Sequence, residues 1–379
     1  MVLPLRRGGQ WFLLMLPKGC AAVCAEVCVL IGFNGGELCE RGTSVALFDY
    51  AEGNETVLGN RSLIFYDRNA KANVAEAIRK FEARFEVVAY SSVSDLHERL
   101  RSHRVDAFYT IKGGARDTVD FPDIPTMVHA VFPTKPSEIH GHAYAYVSPW
   151  LARLCRRQKG AAVPHIVHPA RTAGDLRAML GIPADATVFG CYGGKQSFDI
   201  DFVKAKVIPH VVAKSTNTFF VFMNIEPFLS DPRVHFLPGT TDVDAKARFI
   251  QTADAMLHAR KRGETFGLAC AEFHAAGRRI ITYGRSRERA HIEHAGTGAI
   301  VYKNRFDLAH ILLTFDRTLR ADPTHFLQRH SPAAVMEDFK TYLLDPALRR
   351  QDAPRPTGIE AKLADKIFYL RRKGFLPQT

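Results

Sequence analysis

The sequence predicts an α/β protein of two successive domains, each a mostly parallel sheet with helices on its faces. Three observations carry that expectation. Short apolar runs alternate with helical patterns from residue 44 onward, as strands do when they return through crossover helices. The alternation halts at the proline-bounded segment Pro164-His-Ile-Val-His-Pro169, which reads as a strand ending in a linker, and then begins again. A chain of 379 residues also exceeds what one hydrophobic core usually organises.

Residues 1–43 stand outside the pattern. Arg6-Arg7, an apolar run from Trp11 to Leu16 and small residues near Ala25 have the order of a secretory signal, but Pro17-Lys18-Gly19 breaks the run far short of the roughly 20 residues a membrane span needs. The segment is expected to be a poorly ordered extension. The first domain, 44–168, should carry strands at 45–50, 63–66, 85–90, 107–111, 126–132 and 143–148, with helices at 73–84 and 95–103. The second, 169–345, should carry strands at 187–192, 218–223, 234–237, 253–259, 279–283 and 299–302. Ser331-Pro332 is an N-cap and first-turn pair for a helix ending near residue 344. A basic amphipathic helix at 359–373 closes the chain within a tail at 346–379.

Hydrophobic residues make up 46% and charged residues 24%, the balance of a folded globular chain, and the formal charge of +12 calls for an acidic partner. Its basic residues fall in short groups such as Arg156-Arg157, Lys261-Arg262 and Arg371-Arg372-Lys373, with no tract of interleaved aromatics and no recognisable module, so no nucleic-acid partner is expected. Phosphorylated small molecules and an anionic membrane surface are the classes left. Seven cysteines, an odd number without paired spacing, give no disulfide framework and fit a reducing cytoplasm. Cys20, Cys24 and Cys28 recur every four residues without a histidine or a C-x-x-C, which favours an apolar helix face over a zinc site. Cys155, Cys191 and Cys270 read as core.

The chemistry concentrates in Glu264-Thr-Phe-Gly-Leu-Ala-Cys-Ala-Glu272, between an apolar run and a β-rich one. Eight residues of helix advance about 12 Å and turn about 80° past two full turns, so both carboxylates can face one cleft. A helix opening at Phe266-Gly267 would point free amides and a positive dipole end at an anion. Thr265 lies at the same turn, and His258 and Arg260 just precede it. The competing reading has Glu264 cap the helix while Glu272 pairs with a surface arginine. Gly193-Gly194-Lys195 follows the first strand of the second domain, where glycines admit a phosphate and lysine supplies charge; spacing excludes a P-loop and a G-x-G-x-x-G fingerprint, and a plain tight turn is the alternative. Asp199-Ile-Asp201 and Asp242-Val-Asp244 look like metal-binding D-x-D pairs, but each precedes a helical segment and reads as a cap.

The run His258-Ala-Arg260-Lys-Arg-Gly-Glu264-Thr-Phe-Gly-Leu-Ala-Cys-Ala-Glu272 resembles the E-x7-E motif of the retaining GT-B glycosyltransferases of family 4. That resemblance implies two Rossmann-like domains facing across a cleft. It implies a nucleoside diphosphate sugar donor, no further cofactor and no metal, and transfer with retention to a glycan or lipid-linked hydroxyl acceptor. Glu264 would contact the donor sugar, Glu272 the ribose and Lys195 the diphosphate, with Arg260 or Lys261 as second cation. Over the first domain the resemblance rests on the α/β pattern and on His129, placed at a strand end where such enzymes bind the acceptor. Asn54, Glu55 and Asn60, in a polar stretch expected to be a loop, are further candidates there. The expected location is the cytoplasm, with peripheral attachment to the inner membrane face through the closing helix. Two other readings are a sugar-nucleotide epimerase of the same fold and a non-catalytic basic surface-binding protein.

Overall fold

The computed structural model describes residues 28–156, 160–169, 174–350 and 352–376, together with the backbone of an antiparallel pair, β1 (Val2–Arg7) and β2 (Gln10–Met15). Cys20 and Cys24 lie outside the described residues; Cys28 is exposed. The first domain is a seven-stranded parallel sheet of β3 (Leu30–Asn34), β4 (Arg61–Asp67), β5 (Glu86–Tyr90), β6 (Ala107–Lys112), β7 (Thr126–Ala130), β8 (Ala143–Tyr146) and β9 (Ala161–Ala162), in the order β5-β4-β3-β6-β7-β8-β9. Helices α1 (Gly42–Thr56), α2 (Ala75–Glu82), α3 (Val93–Ser102) and α4 (Pro149–Arg156) belong to it. Its strands are continuous apolar runs because both faces of a parallel sheet are covered; β7, for example, is buried at every position.

The second sheet is also wholly parallel, in the order β12-β11-β10-β13-β15-β17, with β10 (Thr187–Tyr192), β11 (Thr218–Met223), β12 (Val234–Leu237), β13 (Ala255–His258), β15 (Arg279–Tyr283) and β17 (Ala299–Tyr302). Two residues each of β14 (Gly263–Glu264) and β16 (Glu288–Arg289) pair beside it. Helices α5 (Ile208–Lys214), α6 (Val243–Thr252), α7 (Leu268–Ala275), α8 (Ala290–Ala295) and α9 (Arg305–Leu313) complete this half. In both sheets the chain starts at a central strand, builds to one edge, then crosses back and builds to the other. The reversal opens a crevice at the strands' carboxyl ends, the usual ligand position in such sheets.

Three expectations need correction. The stretch 45–50 is helical: it lies in α1, and the first strand of the sheet, β3, falls within the stretch read as an extension. Helix α1 reads like a strand because Val45-Ala-Leu-Phe48 is a continuous apolar run and most of the helix is covered, with Ser44, Ala46, Leu47, Tyr50, Ala51, Gly53 and Asn54 buried. No strand forms at 164–169, which has no sheet partner. The boundary at residue 345 cuts through helices that return to the first domain. After α10 (Thr324–Arg329), α11 (Pro332–Phe339) begins at Ser331, whose side chain accepts from the Ala334 amide, and runs on through a wide turn to α12 (Asp345–Leu348). Val335, Met336, Phe339, Leu343, Leu344 and Ala347 all enter the first domain's core, as does Phe368 of α13 (Gly358–Arg372).

Candidate active site

The carboxyl ends of β3 and β6 in one domain, and of β10 and β13 in the other, open onto one cleft of about 1580 Å³; Gly35, Lys112 and Gly113 line it from the first domain, Tyr192, Gly193, His258 and Ala259 from the second. Glu264 and Glu272 both reach it. Gly263, between Arg262 and Glu264, holds φ +79°, and a Cβ there would stand 1.9 Å from the Glu288 carbonyl oxygen, so only glycine lets β14 pair with β16 and bring Glu264 to the cleft. Gly267, at φ +86°, turns the chain into α7; its first turn carries no acidic side chain and the helix start faces the cleft.

Glu264 sits in a network. Its Oε1 accepts from Arg260 Nη1 at 2.7 Å and from His258 Nε2 at 3.4 Å. That donation leaves His258 Nδ1 to accept from Thr282 Oγ1 at 2.9 Å, whose oxygen in turn accepts from His291 Nε2 at 2.9 Å. Burial would raise the Glu264 carboxyl, but His258 and Arg260 outweigh it and hold the group at about 2. It is a fixed anion. Glu272 is different: it is buried, its Oε1 accepts from Lys246 Nζ at 2.7 Å, and its Oε2 has no partner among the described residues. Burial, then the Asp49 charge, pushes this carboxyl up, and burial draws the Lys246 ammonium down to about 8; the 2.7 Å contact between them favours the charged form of each.

Of the cations lining the cleft, Arg41, Lys112, Lys246, Arg260 and Arg262 each meet a carboxylate within 3.0 Å. Lys195 is exposed, and among the described residues it has no ion-pair partner; nor has the half-buried Lys80 of α2, whose Nζ lies 4.8 Å from the Phe48 ring centroid. Lys195 rides on a turn in which the Ser197 amide donates to the Gly194 carbonyl and the Glu226 amide to that of Lys195. Asn224, itself at φ +54°, donates from Nδ2 to the Gly193 carbonyl at 2.8 Å. The tight-turn reading of Gly193 and Gly194 therefore holds, and it presents a lysine with no anion of its own.

Thr265 and Phe266 line the cleft but also join the domains: the Thr265 carbonyl accepts from Ser148 Oγ, and the Phe266 ring packs 4.6 Å from both His165 and His294. Asp242 caps α6 as expected, accepting from the Asp244 and Ala245 amides, whereas Asp199 accepts from the Lys261 amide and Asp201 pairs with Lys204.

His129 does not reach the cleft. It is fully buried in the first domain, its Nε2 donates to the Val163 carbonyl and its Nδ1 accepts from Tyr109 Oη, and burial lowers it to about 4. A histidine pinned on both nitrogens inside a core is structural. Asn54, Glu55 and Asn60 are also misplaced: they tie α1 to β4 through the Arg61 carbonyl, Ser62 Oγ and the Ser62 amide, and none lines the cleft.

The sequence reading missed the loop after β3, Gly35-Gly36-Glu37, which the apolar run before a Gly-Gly pair could have signalled. It also missed Lys246, Asp49 and His168, the last two paired at 3.4 Å with the histidine's pKa raised by that bond. Lys246 stands on an ordinary-looking helix and Asp49 in the stretch 45–50 that reads as a strand, and only the tertiary packing shows where they point.

No protein-family model and no curated protein sequence matches this chain. Solved structures do. A glycosyltransferase from Rickettsia africae ESF-5 superposes with a TM-score of 0.57 at 11% identity, over 90% of this chain and 99% of that one. Anabaena Alr3699/HepE, in complex with UDP and glucose, gives 0.56 at 13% identity over 85% and 98%. The fold is GT-B. A trehalose 6-phosphate synthase from Burkholderia multivorans is similar as well, at a TM-score of 0.55 and 10% identity over 85% and 99%. Identities this low carry the architecture, two parallel-sheet domains about one cleft, and leave the chemistry to this chain's own side chains.

Proposed function

We propose that this protein transfers a glycosyl group from a nucleoside diphosphate sugar to a hydroxyl acceptor, with retention of configuration and without a metal. The observation that carries the reading is Glu272: a buried carboxylate on the cleft wall, one oxygen held by Lys246 and the other without a partner, is built to accept a hydroxyl hydrogen bond. A ribose diol supplies one. The start of α7 and the unpaired Lys195 are sources of positive potential for a diphosphate, and Lys80 offers a second unpaired cation from the opposite domain in place of Arg260, which Glu264 holds. Glu264, kept ionised by Arg260 and His258, can accept from hydroxyls of the donor sugar. The fold neighbour from Anabaena was also solved with UDP-glucose, which makes that compound the first donor to test.

In the reaction, the bond from the anomeric carbon to the diphosphate oxygen breaks while the acceptor oxygen bonds that carbon from the same face. The acceptor proton passes to the departing phosphate oxygen. Charge grows on the diphosphate, and cations fixed beforehand lower the barrier because they need not reorganise. The test is a panel of nucleotide sugars scored by release of free nucleoside diphosphate, with and without sugar and lipid acceptors. Glu272→Gln should weaken nucleotide binding about tenfold by removing a charged acceptor. Lys195→Met should leave binding nearly intact and slow turnover by the roughly 2–4 kcal/mol typical of a lost transition-state donor. Equal, small effects from both substitutions, or no binding to any nucleotide sugar, would remove the assignment.

A further inference from the structure

Helix α13 lies on the first domain with one face inward: Phe368 is buried, and Asp365 accepts from both the amide and the hydroxyl of Ser137. Its other face is not what solvent selects. Ile359 is 86% exposed, Leu363 58% and Tyr369 55%, and Phe375 just beyond the helix is 74% exposed. At about 100° per residue, Ile359, Leu363 and Leu370 fall within an arc of about 40°, opposite Phe368. Lys362, Lys366 and Lys373 fill the adjoining arc of about 40°, with Tyr369 at its edge. None of these lysines has an ion-pair partner among the described residues, and Lys373 lies over the Tyr369 ring at 5.6 Å. The one acidic side chain toward this face, Glu360, stands at its flank.

We propose that this face of α13 docks the protein on an anionic bilayer surface. An aliphatic stripe beside a lysine stripe, with a tyrosine on the far edge of the lysines, matches the layered chemistry of a membrane interface: acyl chains, then headgroup phosphates. The stripe is only three aliphatic side chains wide, too narrow for the desolvated centre of a stable protein interface, whereas it suits shallow insertion. Among the described residues no helix is long and apolar enough to cross a membrane, so the contact is peripheral. The inference rests on the proposed transfer reaction in one respect, the acceptor it points to. Ser137, which anchors α13, adjoins Glu138, whose carboxylate accepts from the Arg116 amide in the loop that follows cleft residues Lys112 and Gly113. The docked helix thus holds the first-domain lip of the cleft close to the bilayer, where a lipid-linked hydroxyl acceptor resides.

The test is flotation of the full chain with vesicles of neutral phosphatidylcholine alone or mixed with phosphatidylglycerol. The native protein should float with the mixed vesicles and not with the neutral ones, and added salt should release it. Ile359→Asp with Leu363→Asp, and separately Lys362→Glu with Lys366→Glu and Lys373→Glu, should each lower the bound fraction at least about tenfold. All five positions are on the surface, so the far-ultraviolet circular dichroism of both variants should match the native protein. Failure to float on anionic vesicles, or variants that float as well as the native chain, overturns the proposal. So does a concentration-dependent dimer that the substitutions abolish, since the face would then meet a second copy. Donor hydrolysis without acceptor, measured in parallel, should be unchanged in both variants; losing it in the native protein while flotation persists would sink the transferase reading and leave docking intact.

Discussion

Lys246 and Glu272 show how one contact sets the state of a site. The ammonium, drawn down to about 8 by burial, is charged below that value and neutral above it. Above it the cleft loses the positive charge beside Glu272, and the buried carboxylate then stands uncompensated against an incoming diphosphate. Affinity for a nucleoside diphosphate should therefore fall between about pH 7 and about pH 9, and Lys246→Met should bind weakly and show no such slope across the interval. Isothermal titration at a series of pH values reads both; a flat native profile would contradict the assignment. Glu264, Glu272, Lys195 and the glycines were legible because their chemistry sits in contiguous segments whose spacing has a geometric meaning. Lys246 was not, since a lysine one turn into a helix looks the same whether it faces water or a buried carboxylate. His129 failed for the converse reason: a histidine near a strand end carries no mark of the carbonyl and the hydroxyl that hold it inside.

Helix α1 was the element least readable from local pattern. It packs against β4 on one side and α11 on another, and its first turns line the cleft, so the polar face that identifies a helix is largely missing. Gly53 is where α11 comes closest: a Cβ there would stand 2.8 Å from Met336 Cγ. The returning helix in turn plugs an aromatic cluster, the Phe339 ring lying 6.3 Å from Phe33, 5.9 Å from Tyr50 and 5.4 Å from Tyr109. Phe339→Ala should cost about 3–5 kcal/mol of unfolding free energy, the range for a large buried aromatic, and chemical denaturation followed by circular dichroism measures it. A loss below about 1 kcal/mol would mean that α11 is not integral to the first domain's core.

At the scale of the whole molecule, the chain leaves the first domain once and returns. The residues after 323 that were assigned to the second domain and to a tail finish the first one, with Ala347, Ala353 and Phe368 buried and the Ala353 amide bonded to the Gly141 carbonyl. A chain ending at residue 345 should accordingly melt at a lower temperature and bind a hydrophobic dye in its native baseline. An independent tail would leave both readouts unchanged.

By itself the sequence determined two parallel-sheet domains, the strands β4 to β8 and the six of the second sheet, and the acidic pair beside a helix start. Each of these is written in nearest-neighbour terms: the period of apolar residues, the glycines at turns, and two carboxylates set close in sequence on either side of a helix start, although Glu264 lies on β14 and only Glu272 on α7. Only the tertiary structure decided where the first strand lies, which domain owns the last helices, and which charges pair across the cleft. Those features depend on contacts between residues far apart in the chain, and the pattern along a segment does not encode its distant partner.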